Sequence, residues 1–279
     1  IISVLVTAIQ TIPMIELYLN SPLTEAFSKE VFAMYTMPFK NTLTLFAPDF
    51  FGNPATLNFW STIYGDGTPH IGVIPLFFAV FALITSKRWE VKFLSLIALI
   101  IFFFATRGPI FFIVDRLNIP FLTGTSSART TFIAAFALSI LAGFGLDAFL
   151  KRRKELVTQF YYLIAGFLLI YSLLWLSTFL LPDILQDPAW KEKLKISRHN
   201  LILPTLIFLS LPIAYLINRI IFPAKSLIIF VILILFATTF GGIYQSNKIL
   251  PFSPKKFFFP KHDVINWLSE NAGTNRFFG

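Results

Sequence analysis

In the stretch TGTSSARTTF, residues 123–132, hydroxyl side chains crowd around one cation, Arg129, directly before a long apolar run. A guanidinium in that position holds a phosphate or pyrophosphate through paired N–H donors. The free N–H groups of a helix start favour the same anion. The competing reading is a Ser/Thr helix cap with an arginine that reaches for lipid headgroups. A second polar group lies in AIQTIPMIELY. Gln10 sits in an apolar run and needs a partner on a neighbouring helix. Pro13 frees a backbone carbonyl and kinks the chain. Glu16 reads either as a contact to a substrate hydroxyl or as a solvated helix end. A third group, Asp66 and His70 in YGDGTPHIG, has the types to bind a sugar or to act as acid and base. A Gly/Asp/Pro turn feeding a helix explains the same residues. Asp115 and Arg116 read as a wetted surface pair. Asp147 precedes Lys151 by one helical turn and reads as an ion pair along one helix face.

Other chemistries have no residues to carry them. There is no cysteine, so neither disulfides nor thiolate catalysis applies. His70, His199 and His262 are too far apart in sequence for metal-ligand spacing. No Walker loop, HExxH, GxSxG or CxxC occurs. No cofactor is implied, and the acidic residues show no cluster for a divalent metal, which few carboxylates would hold.

The elements that position these residues are membrane helices. The 279 residues are 56% hydrophobic and only 13% charged, where soluble domains run near about 25% charged. Several apolar runs approach the ~20 residues needed to cross a bilayer. The spacing predicts an all-α, polytopic transmembrane bundle of about seven spans: 1–18, 70–85, 91–106, 130–150, 157–181, 200–221 and 226–244. Net charge is +9. Its cations cluster in short connections between runs, which points to anionic lipid as partner and away from nucleic acid. Lys87, Arg88 and Lys92, then Lys151 to Lys154, then Arg219 and Lys225, all fall on one side if each run spans once. The positive-inside rule makes that side cytoplasmic. The connections 19–69, 107–129 and 182–199 and the tail from Gln245 then face outward. Against this stands DPAWKEKLKISRH, an outer connection with Lys191, Lys193, Lys195 and Arg198.

The outer connections carry structure of their own. EAFSKEVFAMYTMPF reads as an amphipathic surface helix. LFAPDFFGNPATLNFW reads as an interfacial or re-entrant turn. IFFIVDRLN, started by Pro109 and ended by Pro120, reads as a short interfacial helix. Residues 1–244 form the transmembrane domain. Residues 245–279 form a linker and the start of an extracytoplasmic domain, where Asp263 caps VINWLSEN, Gly273 stops it and TNRFFG begins a strand. With neither an initiating Met nor a basic leader, the chain reads as an internal piece of a longer protein.

Several stretches in order resemble the YfhO-type bacterial integral membrane proteins of the GT-C glycosyltransferase superfamily. They are AIQTIPMIELYLNS, PDFFGN followed by GVIPLFFAVFAL, the block from RGPIFFIVDRLNIP through TSSARTTF to GFGLDAFL, and HDVINWLSENAGTNRFFG. Where that family's mouth often has two arginines a few residues apart, this mouth has Arg129 alone. The resemblance implies a GT-C-like fold in the bacterial plasma membrane. It implies transfer of a sugar from a polyprenyl-phosphate-linked donor to an envelope polymer or glycolipid acceptor on the outer face. Arg129, and secondarily Arg107, would contact the donor phosphate. The catalytic acidic residue would lie in a first outer loop before Ile1. A transporter or flippase of a lipid-linked or polyanionic envelope precursor, and a non-catalytic membrane scaffold, stay open beside this reading. The scaffold reading expects Gln10, Glu16 and Arg129 not to converge.

Overall fold

The computed structural model describes residues 2–20, 35–62, 64, 68–117, 126–185, 187–221, 227–250, 254–255 and 262–273. Among these the regular structure is helical, without strands. The helices are α1 (Ile2–Leu19), α2 (Val73–Thr85), α3 (Trp89–Ala105), α4 (Pro109–Leu117), α5 (Thr131–Lys151), α6 (Arg153–Leu185), α7 (Pro188–Ile221), α8 (Ile228–Ile249) and α9 (Asp263–Asn271). The chain divides into two compact units, Ile1–Gly242 and Ile243–Gly279.

Four helices are long and apolar enough to cross a membrane: α5 with its leading 3-10 turn, α6, α7 and α8. A fifth span arises if α3 and α4, bent by 66° at a short break, are taken together. The sequence led to an expectation of seven. The two expected spans outside this set are α2, too short at 13 residues, and α1, an 18-residue helix whose fully described part is the apolar stretch Val6–Leu17. At 1.5 Å per residue α2 covers only about 20 Å of a roughly 30 Å hydrocarbon core. It is nonetheless the most enclosed helix. Val73, Ile74, Leu76, Phe77, Phe78, Ala79, Phe81 and Ala82 are all buried. Neighbours, not lipid, surround it, so its ends can pass into irregular backbone without exposing peptide groups to hydrocarbon. Expected from His70, this helix starts at Val73 instead, after Gly72 at φ 94°.

Small residues let α5 approach α2. A Cβ on Gly145 would run into the Phe78 carbonyl, whereas Gly143 faces open space. Around that contact an aromatic core forms. Phe77 meets Phe160 and Phe167 edge-on at 5.3 Å, and Phe149 stacks on Phe160 at 4.4 Å. Helices α6 and α7 bury residues in steps of three and four: Leu156, Phe160, Ile164, Phe167, Tyr171 and Leu174 on α6, Leu194, Ser197, Leu201, Pro204, Phe208, Leu211 and Tyr215 on α7. That spacing is the seam of two helices packed lengthwise.

The connection expected as an outer loop at 182–199 is mostly helix, a correction with local causes. Asp187 caps α7 by accepting from Ala189 N–H at 2.9 Å, and Pro188 takes the first helical position. At 34 residues, α7 outruns the bilayer core, so its lysine-bearing first turns fit as an extension beyond it. Arg198 is therefore a helix residue. Pro182 has no N–H to give the Thr178 carbonyl, and Arg198 Nη2 donates to that carbonyl at 2.7 Å while its guanidinium lies 3.9 Å from the Phe179 ring centre.

Two of the lysine- and arginine-rich connections share one end of the bundle, where one cavity is lined by Thr85–Arg88 with Asp147, Ala148, Lys151 and Arg152, and another by Leu150–Glu155 with Leu227, Ile228, Val231 and Ile232. Lys225 of the third connection lies outside the described residues. The expected Asp147–Lys151 pair is present at 3.0 Å. In the second unit α9 is capped by His262, whose Nδ1 accepts from Val264 N–H, not by Asp263 as the sequence suggested. Asp263 instead sits in the first turn, where a negative charge still suits the helix dipole. Gly273 follows the helix at φ 55°. The expected surface helix at 25–39 and the strand at 274–279 fall largely or wholly outside the described residues; the described end of the former, 35–38, is not helical.

Candidate functional site

The opposite end of the bundle is organised by a strap, residues 35–37. Met37 N–H donates to the Ala105 carbonyl at the end of α3 at 2.8 Å. On its other side the Tyr35 carbonyl accepts from Ser126 Oγ at 2.9 Å and from Ala128 N–H at 3.3 Å. The strap thus ties the end of α3 to the 3-10 turn Ser127–Thr130 that leads into α5. Arg107 and Arg129 belong to the two segments so joined, and both are exposed. The strap thus joins the two ends of the connection 107–129, one carrying Arg107 and the other Arg129.

Arg107 is held there at a cost. Gly108 N–H reaches back to the Phe103 carbonyl at 2.7 Å, the six-to-one bond of a Schellman ending. The left-handed position of that motif favours glycine, yet here Arg107 occupies it at φ 57°. A non-glycine residue there costs about 1–3 kcal/mol and persists only where its surroundings hold it. One such hold is Arg107 Nε, which donates to Thr36 Oγ1 on the strap at 2.7 Å.

The hydroxyls beside Arg129 do not cap the helix as the sequence suggested. Among the described residues, neither Ser126 nor Thr130 accepts a cap bond from a backbone N–H. Thr130 Oγ1 donates to the Ser127 carbonyl at 2.7 Å and Thr131 Oγ1 to the Ala128 carbonyl at 2.8 Å. A 3-10 entry leaves these carbonyls within reach of the hydroxyls, and the hydroxyls take them. Ser127 Oγ is fully buried and has no hydrogen-bond partner among the described residues.

Below the strap the segment 39–62, two 3-10 stretches (Phe39–Leu45 and Pro54–Thr56) joined by irregular backbone, plugs the bundle. The re-entrant character expected of LFAPDFFGNPATLNFW appears as burial: Ala47, Phe50, Phe51, Asp49 and Asn53 are all enclosed. Its carbonyls are met by long helices. Tyr171 Oη donates to Phe46 O at 2.8 Å, Ser197 Oγ to Phe50 O at 2.6 Å and Asn200 Nδ2 to Asp49 O at 2.7 Å. Irregular backbone inside a membrane bundle requires such partners. Gly52, at φ 83°, turns the plug where a Cβ would strike the Asn58 carbonyl. Asp49 Oδ1 accepts from Tyr64 Oη at 2.6 Å and from Asn53 Nδ2 at 3.1 Å.

Asp49 and Asn53 were not among the residues the sequence singled out. The signal was in PDFFGN: an acid and an amide enclosing two phenylalanines and a glycine, in a stretch already read as re-entrant. His70 packs on this plug, with Nδ1 3.0 Å from Leu45 O. Its ring nitrogen is turned to backbone, a structural clasp. Asp66, its expected partner, lies outside the described residues.

Gln10 and Glu16 do not join the mouth. Both are exposed on α1, and among the described residues Glu16 contributes only its backbone carbonyl, to Asn20. The bundle partner expected for Gln10 is absent among those residues, because α1 exposes Val6, Ile9, Ile12 and Leu17 as well and packs on no described helix extensively. Among the described residues no three His, Asp or Glu side chains come together as metal ligands. Comparison with known proteins returned no matching family model, no similar curated protein and no similar solved structure.

Proposed function

We propose that this chain is the membrane portion of a GT-C-type glycosyltransferase, which moves a sugar from a polyprenyl-phosphate-linked donor to an envelope polymer or glycolipid on the outer face of the bacterial plasma membrane. The observation that carries the proposal is Arg107, kept in a strained left-handed backbone and tied by the same strap that holds the turn bearing Arg129. Strain of this kind is retained where it positions a group for a task.

In this reading the two guanidinium groups receive the donor phosphate. As the bond from the sugar to the phosphate breaks, charge grows on the leaving oxygen, and preset cations stabilise it. The acceptor hydroxyl needs a base. The plug at 39–62 supplies the floor of the groove, and the tail from Gln245 faces outward. Gln10, Glu16 and His70 have no role in it.

The test is sugar incorporation by the full-length protein carrying Arg129→Ala, Arg129→Lys or Arg107→Ala. Loss in the alanine variants with partial recovery in Arg129→Lys supports the reading. Parental rates in all three would overturn it. One observation favours the transporter reading instead: α3 and α4 meet at a 66° break, and broken helices line the sites of many transporters. Liposomes separate the two. A flippase moves an intact labelled lipid across the bilayer, whereas a transferase releases its sugar.

A further inference from the structure

We propose that the lysine- and arginine-rich end of the bundle contains a binding site for one anionic glycerophospholipid, seated between the α5–α6 junction and the start of α8. A cavity of about 680 Å³ opens there, within the range that holds a small ligand. Its lining has two characters. Lys151, Arg152, Arg153 and Lys154 supply four cations, and Glu155 is the only acid in the lining. Facing them, Ile228 and Ile232 of α8 form an exposed apolar wall. A cationic pole beside an aliphatic wall matches a phosphodiester headgroup joined to an acyl chain. Basic pockets between membrane helices take anionic headgroups for this reason.

Two of the cations have partners in the chain around them and two do not. Helix α5 ends at Lys151, and α6 resumes at Arg153, so Arg152 stands at a break with non-helical backbone. Arg152 Nη2 points to the Thr85 carbonyl at 3.4 Å, and Lys151 is paired with Asp147. Arg153 and Lys154 carry no such pairing to an acid among the described residues and have charge to offer a ligand. Lys87 and Arg88 line the neighbouring cavity, not this one. The site is independent of the glycosyltransferase reading and of which side of the membrane this end faces.

The experiment places the full chain in nanodiscs with spin-labelled phosphatidylglycerol or spin-labelled phosphatidylcholine and reads the motionally restricted fraction. Restriction of the anionic lipid over the zwitterionic one is expected. The double variant Arg153→Gln, Lys154→Gln should weaken that preference at least about fivefold, since each surface cation contributes roughly that factor. Ile228→Trp fills the apolar wall at an exposed position without touching charge, and should weaken it comparably. Lys87→Gln should leave it unchanged. Full preference in Ile228→Trp, or equal loss in Lys87→Gln, would mean diffuse surface charge and overturn the site. Displacement of the label by soluble glycerol 3-phosphate as readily as by unlabelled phosphatidylglycerol would make it a phosphate site, not a lipid site. No preference at all would overturn it outright.

Discussion

The two ends of the bundle hold their cations in opposite ways. At the strap, Arg107 is fixed by its own strained backbone, a bond to Thr36 and a helix ending that leaves it little choice of direction. At the other end, Lys151 to Lys154 rim an open cavity, largely exposed, at a break between two helices. A fixed guanidinium suits a ligand that must be held in one pose, as a reacting phosphate must. A loose cationic rim suits a lipid that stays fluid. Sequence shows both ends as Lys and Arg near helix termini. Only backbone conformation separates them.

Three sets of substitutions test that contrast, in falling order of effect. Both ends depend on α2 and α5 lying close, so Gly145→Val should disrupt them together, at about 3 kcal/mol or more from backbone overlap at Phe78. Loss of folded protein by size-exclusion chromatography would report it, and Gly143→Ala, facing open space, should be tolerated. Next, Arg107→Ala or Arg129→Ala should lower sugar transfer roughly 100-fold, as removal of one preset oxyanion donor does. Arg153→Gln with Lys154→Gln should leave transfer within about twofold while changing lipid preference. Equal loss at both ends would erase the distinction. Third, Ser127→Ala should raise thermal stability by about 1 kcal/mol, because it removes a fully buried hydroxyl without a partner among the described residues. A lowered melting temperature would show that the hydroxyl is bonded.

The long apolar helices were legible because periodicity and length specify them directly. Ranges expected at 130–150 and 226–244 match α5 and α8 within a few residues. Three features were hidden for physical reasons. The start of α7 reads as a charged loop, since nothing in lysine-rich composition tells a helix extending beyond lipid from an outer connection. Asp187 and Pro188 were the better signal. The plug was seen as re-entrant but not as core, because its burial depends on carbonyl partners from Tyr171, Ser197 and Asn200, more than 100 positions away in the chain. Most instructive is Arg107. In RGP the glycine draws attention, yet the left-handed residue is the arginine before it.

That residue gives the most direct test of the account. Arg107→Gly places the amino acid best suited to φ 57° where arginine now stands. Relief of strain worth about 1–3 kcal/mol should match or exceed the lost bond to Thr36. Measured side by side on the full-length protein, thermal stability should hold or rise while sugar transfer falls by at least about tenfold. A variant that is stable and transfers sugar at the parental rate would contradict the claim that this strain serves the donor phosphate.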